Sequence, residues 1–418
     1  MLRALSSIVV LQALGAAFAL ATVILLTSAL GADGYGRYIW IISAAGIGSL
    51  VLQRGQPTTL IKKHAPLDLT KVKAPSEMGN TYLFYLLGAL VTLKIAFVTS
   101  LVTSNELAWI APAAFALTAL NISDAILRAA ERGVRAQFAR DFLRPIALFG
   151  GFFLLWVAEV KEPIFYLLIF VVCTAFASIY YLCPLTLQAA RNWRGAGLVK
   201  TNGAHFQVSL SRSVGNHLPI FVSGFFLTPD TLAYLAIAIR LAGPLNFGVK
   251  AARAVFGARI NRHVKANKPS AIRHDYRIAI LFSLFISVLA AVGVAILLLV
   301  LGYFGLGPVA DLADQDLLLW VFVTIAFAQL CRAAAGPGQL TAVLLHAERF
   351  VRNYNILMLL CLSAGLIVAG LIGDVRLSAN VVLFYSAGTS IGLVCKIRSA
   401  LHGLRNSSGP DQRGQQLD

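Results

Sequence analysis

The sequence predicts an all-α polytopic membrane protein of about twelve transmembrane helices in two pseudo-symmetric six-helix halves. Three observations carry that expectation. Hydrophobic residues make up 58% of the 418 residues and charged residues 13%, against roughly 45–50% and about 25% in soluble domains; the mean hydropathy is +0.77. The basic residues gather in alternate short loops between apolar runs. Two short motifs also recur at positions six helices apart.

The apolar runs fall at roughly 8–30, 38–60, 80–103, 107–127, 142–159, 164–188, 204–227, 232–256, 278–305, 316–346, 354–373 and 379–398. Most meet or exceed the ~20 residues needed to cross a bilayer. The first run, after Arg3, is longer than the apolar core of a cleaved signal peptide and reads as an uncleaved first helix. One set of loops holds Lys62, Lys63, Lys71 and Lys73, then Arg128, Arg132, Arg135, Arg140 and Arg144, then Arg191, Arg194 and Lys200, and further clusters at 259–277 and 349–352. The alternating set holds only Arg37, Lys161 and Arg376. Positive charge marks the cytoplasmic side, so both termini are expected there. The tail from Leu404 is polar, without apolar periodicity, and is expected to be disordered. The implied division is 1–190 for the first half, 191–203 for a cytoplasmic linker, 204–400 for the second half and 401–418 for the tail.

Several functions are excluded or disfavoured. The net charge of +17 is dispersed over short loops, with no soluble basic domain to bind nucleic acid. The five cysteines, Cys173, Cys183, Cys331, Cys361 and Cys395, lie in or beside apolar runs without a CxxC pair, and support neither disulfide nor metal. No HExxH, GxSxG, P-loop or paired-carboxylate motif occurs, and the outward loops are too short for an extracytoplasmic catalytic domain. No catalytic residue, metal site or cofactor is expected.

Two pairs of segments suggest the internal repeat. Ala130–Arg135 reads AERGVR and Ala347–Arg352 reads AERFVR, each after an even-numbered helix. Gly31–Tyr38, GADGYGRY, is expected as the outer loop between helices 1 and 2. Thr228–Tyr234, TPDTLAY, holds the same place between helices 7 and 8. Each is followed by an apolar run that reaches Ala-Gly, at Ala45-Gly46 and Ala242-Gly243. Parallel halves of this kind are a transporter architecture with the substrate path between them.

Within the second half, His205–Leu227 carries His205, Ser209, Arg212, Asn216 and Ser223 at steps of four, three, four and seven. On a regular helix those residues share one narrow face, which would line a wet cleft and not lipid. Cations also occur inside other runs, at Arg54, Lys94, Arg240, Lys250, Arg253 and Arg332, of which Lys94, Arg240 and Arg332 lie deepest. An Arg or Lys at mid-bilayer costs about 2.5–3.5 kcal/mol even on lenient scales. Asp124 is the one arguably intramembrane carboxylate, four residues before Arg128 and placed for a local ion pair. An unneutralised positive cavity attracts anions, and guanidinium suits phosphate and carboxylate. The expected substrate path is Arg212, Arg240, Lys94, Arg332, Arg54, Asn216 and Asn246, with His217, Gln339 and an aromatic such as Tyr234 beside it. Lys250 and Arg253 sit near a helix end, where snorkelling or lipid head-group contact is an equal reading, and snorkelling is an equal reading for Arg54, toward the cytoplasmic end of its run. Gly243-Pro244 and Gly336-Pro337-Gly338 interrupt helices 8 and 10. They are expected either as hinges or as static kinks that shape the cavity.

The sequence resembles the Wzx-type polysaccharide flippases of the multidrug/oligosaccharidyl-lipid/polysaccharide exporter superfamily. LGADGYGRYIWIISAAG, FFLTPDTLAYLAIAIRLAGP, the AER loops at Glu131 and Glu348, and the twelve-span pattern carry the resemblance. It implies the fold of the MATE and related exporters, the bacterial inner membrane, and surface polysaccharide, O-antigen or lipopolysaccharide biosynthesis. The implied substrate is an undecaprenyl-diphosphate-linked oligosaccharide moved from the inner to the outer leaflet by alternating access. Membrane lipids, a polysaccharide polymerase and a chain-length regulator are the implied partners. Two alternatives stand beside it: a drug/cation antiporter of the same superfamily, disfavoured by the scarcity of deep carboxylates, and a membrane glycan ligase or polymerase.

Overall fold

The computed structural model describes residues 2–64, 76–103, 106–130, 133–180, 182, 198–199, 206, 210, 213–266, 268–303, 315–345 and 347–407. Within them every regular element is helical. Among the described residues, eight helices are long and apolar enough to cross a membrane.

The first, α1 (Leu2–Gln53), is 52 residues long, about 78 Å at 1.5 Å per residue. Gly31 divides it, with φ 68° and ψ 179°, a region that only glycine occupies without strain. The limbs on either side lie against a common neighbour, Phe18 against Phe149 and Tyr38 against Phe152. The expected loop of residues 31–38 is therefore a correction. Only Gly31 turns, and Ala32–Tyr38 are already helical. Arg54 (φ 47°) and Gly55 (φ 77°) end α1 in the left-handed region. α2 (Gln56–His64) follows, held by the Tyr85 hydroxyl, whose single hydrogen is shared between the Leu52 carbonyl at 2.7 Å and Gln56 Oε1 at 2.9 Å.

α3 (Ser76–Thr103) and α4 (Ile110–Ala129) pack side by side. Next, α5 (Gly133–Phe138), a π turn (Ala139–Leu143) and α6 (Arg144–Val157) form one continuous helical stretch. It starts nine residues before the expected boundary at 142, and this changes where Arg140, Asp141 and Arg144 sit. α7 (Pro163–Ile179) closes the first half. The proposed linker 191–203 lies outside the described residues except for Leu198 and Val199. Val199 is pinned to the first half, its N–H donating to Thr81 Oγ1 at 2.9 Å.

The second half holds α8 (Leu218–Ser223), α9 (Pro229–Leu241), α10 (Phe247–Lys265), α11 (Pro269–Tyr303), α12 (Gln315–Ala334), α13 (Gly338–Leu344), α14 (Glu348–Ile372) and α15 (Val375–Ser407). Thr228 caps α9 by accepting from the Thr231 N–H, Pro229 fills its first turn and Asp230 faces its positive end. Gly373, at φ 76°, ends α14. Leu404–Ser407, expected in the disordered tail, continue α15. Glu131 and Arg132 of the first AER loop lie outside the described residues.

Both predicted helix breaks are present. Gly243–Asn246 is a 3-10 turn between α9 and α10, and Gly336 (φ 55°) turns the chain between α12 and α13. α11 holds the carbonyls at these breaks. Ser287 donates to the Leu245 carbonyl at 2.6 Å, Ser283 to Gly248 at 3.3 Å, and the Tyr276 hydroxyl to Ala335 at 2.9 Å. Side-chain hydroxyls commonly satisfy backbone groups freed in this way inside a membrane.

The distribution of the core defines the shape. Toward the end bearing the Gly31 turn, one hydrophobic cluster joins both halves and includes Tyr35, Tyr38, Trp109, Phe152, Ile220 and Leu235. Toward the opposite, basic end there are two separate clusters. One lies around Leu60, Met78 and Tyr82 in the first half, the other around Phe256, Ile260 and Tyr276 in the second. The halves are thus fused at the turn end and have independent cores at the basic end.

Candidate functional site: a cationic cleft between the halves

The fused end is built by close approach. A Cβ on Gly36 of α1 would overlap the Pro229 carbonyl of α9, and one on Gly224 would overlap the Trp40 indole. Trp40 Nε1 donates across the halves to the Phe221 carbonyl at 3.0 Å. Its ring stacks on Phe221 and meets Phe225 edge-on. A cavity of about 330 Å³ lies beside this seal, lined by Arg37, Glu106 and Leu232 among others.

Two arginines from opposite halves lie within electrostatic reach of each other. Arg240 comes from the last turn of α9, and Arg144 from the first turn of α6. Arg240 is exposed and has no ion pair among the described residues. It lies within electrostatic reach of Arg144, His217, Tyr35 and Tyr38. The Tyr35 hydroxyl is buried without a hydrogen-bond partner. Arg144 Nε donates to Thr174 Oγ1 at 3.2 Å, and its guanidinium lies 4.9 Å from the Phe170 ring centre. Those contacts fix one edge and one face of the group. The His217 ring rests on Gly46 of α1, where any side chain would overlap it.

Arg144 was counted with the cytoplasmic loop in the sequence reading. Here it stands near the middle of the helix from Gly133 to Val157, and Pro145 explains its setting. Proline has no N–H, so the carbonyl of Asp141 loses its helical partner. The chain widens into a π turn, in which the Arg144 N–H reaches back to the Ala139 carbonyl. The freed Asp141 carbonyl lies against Gly15 of α1, where a Cβ would overlap it. π turns of this kind recur at functional sites. The signal available in the sequence was the pair Arg144-Pro145 at the head of an apolar run.

Toward the basic end, carboxylates accompany the cations. Arg128 Nε donates to Asp124 Oδ2 at 2.9 Å, the local pair expected from the sequence. Arg140 lies 3.7 Å from the same oxygen and donates to Asp141 Oδ1 at 3.2 Å. Lys250 of α10, from the second half, is exposed and within electrostatic reach of Asp141.

The other expected path residues scatter. Arg212, His205 and Ser209 lie outside the described residues. The expected regular helix over 205–227 is a correction. Val214–Asn216 is a 3-10 turn, and α8 begins only at Leu218 with Pro219 in its first turn. Angular arithmetic does not carry across that break: Asn216 is exposed while Ser223 is fully buried. Lys94 stands on the outward strip of α3 among exposed Leu90, Val91, Ile95 and Val98, and among the described residues the main packing partners of α3 are first-half elements. That is a lipid-facing strip. Arg54 is exposed at the end of α1. Arg332 lies over the Tyr385 ring within the second half, 5.8 Å from its centre. Asn246 Nδ2 donates to Gln329 Oε1 at 2.7 Å, so it ties α12 to the helix 8 break. Tyr234 is buried in the shared core.

No protein-family model matches the sequence, and no curated protein matches it. Solved structures do share the fold. They include the lipid II flippase MurJ in an inward closed conformation (TM-score 0.60, 12% identity, 95% of this chain and 87% of that one). A transporter of the MOP superfamily from Pyrococcus furiosus, whose binding pocket is reported as of reverse polarity, aligns with TM-score 0.55, 12% identity and 96% of each chain. A multidrug resistance MATE transporter of the same superfamily, in an inward-facing conformation, aligns with TM-score 0.52, 13% identity and 96% of each chain. At such identities the likeness is one of fold, a helical two-half architecture shared with these transporters.

Proposed function

We propose that the protein is a flippase for a lipid-linked anionic oligosaccharide, moved from the cytoplasmic to the outer leaflet of the bacterial inner membrane in surface polysaccharide biosynthesis. The observation that carries the reading is the pair Arg144 and Arg240, contributed by opposite halves, in a cleft that is sealed at the turn end. The guanidinium of Arg240 is free to make bidentate bonds to phosphate. A diphosphate head can enter between the halves while its polyprenyl tail stays in lipid. Separate cores at the basic end and one shared core at the other suit rocking of two rigid halves about a fixed site. The fold match to a lipid II flippase agrees with this substrate class. The MATE matches raise the antiporter alternative. The Arg144–Arg240 pair disfavours it for cationic drugs, since like charge repels them.

Deleting the gene and analysing lipids tests the reading. Undecaprenyl-linked oligosaccharide should accumulate on the inner leaflet and surface glycan should fall. Unchanged glycan without accumulation would overturn it.

A further inference from the structure

We propose that the cavity beside the Trp40 seal is a binding site for one neutral sugar residue of a glycan on the outer side of the membrane. The source of that glycan rests on the flippase reading above. The site itself is argued from its walls and its charges.

The walls come from both halves. Arg37 and Trp40 of α1 and Glu106 of the 3-10 turn Glu106–Trp109 form one side; Leu227, Pro229 and Leu232 form the other. Each side is fixed without a ligand. Trp109 is fully buried and donates from Nε1 to Ser100 Oγ at 2.8 Å, which anchors the turn that carries Glu106. Trp40 is held by its bond to the Phe221 carbonyl, and Pro229 by the close approach of Gly36. The volume of about 330 Å³ is at the lower end of the roughly 300–1,000 Å³ of small-molecule sites. It suits a single ring and not an extended chain. The cavity lies at the turn end, which the loop charges place outside. Separating the halves would dismantle it, so an occupant favours the sealed conformer.

The charges select the ligand class. Arg37 pairs with Asp33 along its own helix, Nε to Oδ2 at 2.9 Å, and both side chains are about half exposed. One carboxylate takes at most two of the five guanidinium donors, so others remain for a ligand. Glu106 lines the same cavity, yet among the described residues it has no hydrogen bond and no ion pair, with Arg37 or with any other group. Opposite charges therefore border one void without meeting across it. An anion would be repelled by Asp33 and Glu106, and a cation by Arg37. An apolar ligand would strip water from both charges and return no hydrogen bond. A hydroxyl both donates and accepts, so neighbouring hydroxyls of a sugar ring can give a hydrogen to Glu106 and accept from Arg37. Trp40 and Leu232 supply the apolar wall for the ring's C–H face.

The test is isothermal titration calorimetry on the purified full-length protein, in a detergent without a sugar head group. The probes are the methyl glycosides of glucose, galactose, mannose, rhamnose and N-acetylglucosamine, with O-phosphoethanolamine and inorganic phosphate as charged controls. At least one neutral glycoside should bind, and Glu106→Gln and Arg37→Gln should each weaken it about tenfold or more. If Arg37→Gln does not fold, Arg37→Lys replaces it; this variant keeps the charge beside Asp33, lacks the planar fork, and should also weaken binding. Binding of no neutral glycoside, binding of the charged controls alone, or a glycoside affinity unchanged in either variant overturns the proposal. Transbilayer movement of a lipid-linked oligosaccharide is measured alongside. Movement by the parent without glycoside binding removes this site and leaves the flippase reading standing. Glycoside binding without movement keeps the site and overturns the source assigned to its ligand.

Discussion

Replacing Trp40 with leucine should open the seal at the turn end. Three interactions across the halves are lost. One is the Nε1–H bond to the Phe221 carbonyl at 3.0 Å, worth about 1 kcal/mol. The others are the stacked pair with Phe221 at 6.3 Å and the edge-on pair with Phe225 at 5.3 Å, each about 0.5–1.5 kcal/mol. Together they bias the sealed conformer by about 2–4 kcal/mol, or roughly 30–900-fold in population. Leucine keeps part of the apolar contact, so the lower end of that range is the firmer expectation. The assay places one cysteine at Asn216, exposed beneath the seal, in an otherwise cysteine-free protein. A membrane-impermeant thiol reagent is then added to intact cells. Labelling should be slow in the parent and faster by an order of magnitude or more in Trp40→Leu. Labelling from the basic side, in inverted vesicles, should occur in both. Equal outside labelling of the two proteins would show that Trp40 does not hold the halves together.

Two further outcomes follow from particular contacts. Gly15→Val forces a side chain onto the Asp141 carbonyl; overpacking of this kind costs about 1–3 kcal/mol, read as a lowered Tm and reduced abundance. Lys94→Leu, on the outward strip of α3, should leave both abundance and surface glycan at parental levels in a complementation assay, whereas loss of glycan would return Lys94 to the substrate path.

Much of the architecture was legible in the sequence because a bilayer imposes it. Span length and loop charge located the helices, the Gly31 and Gly243-Pro244 breaks were visible as residue types, and the Asp124–Arg128 pair followed from i,i+4 spacing. The boundaries failed where charge was neutralised locally. Loop charge pools Arg140 and Arg144 with a loop because three cations, Arg128, Arg132 and Arg135, precede them, yet Asp124 and Asp141 allow this stretch to stay helical to Gly133. Depth alone also says nothing about face: Lys94 lies deep in its run but points outward, and Arg332 lies against Tyr385. The stripe on 205–227 presumed a uniform helix, which Pro219 and the 3-10 turn at Val214–Asn216 interrupt. Gly46 was read as part of a repeat, but its consequence, the seat for His217, required the packed halves.

The central claim is that Arg240 and Arg144 together carry the phosphate-bearing head of a lipid-linked glycan across the membrane. Its most direct test is transbilayer movement of a lipid-diphosphate-linked oligosaccharide in proteoliposomes, followed by a soluble glycan-modifying enzyme on one side. The account predicts rapid movement with the parent protein, and movement near the protein-free rate with Arg240→Gln and Arg144→Gln at equal reconstituted amounts. Parental rates in both variants, or no movement with the parent, would contradict it.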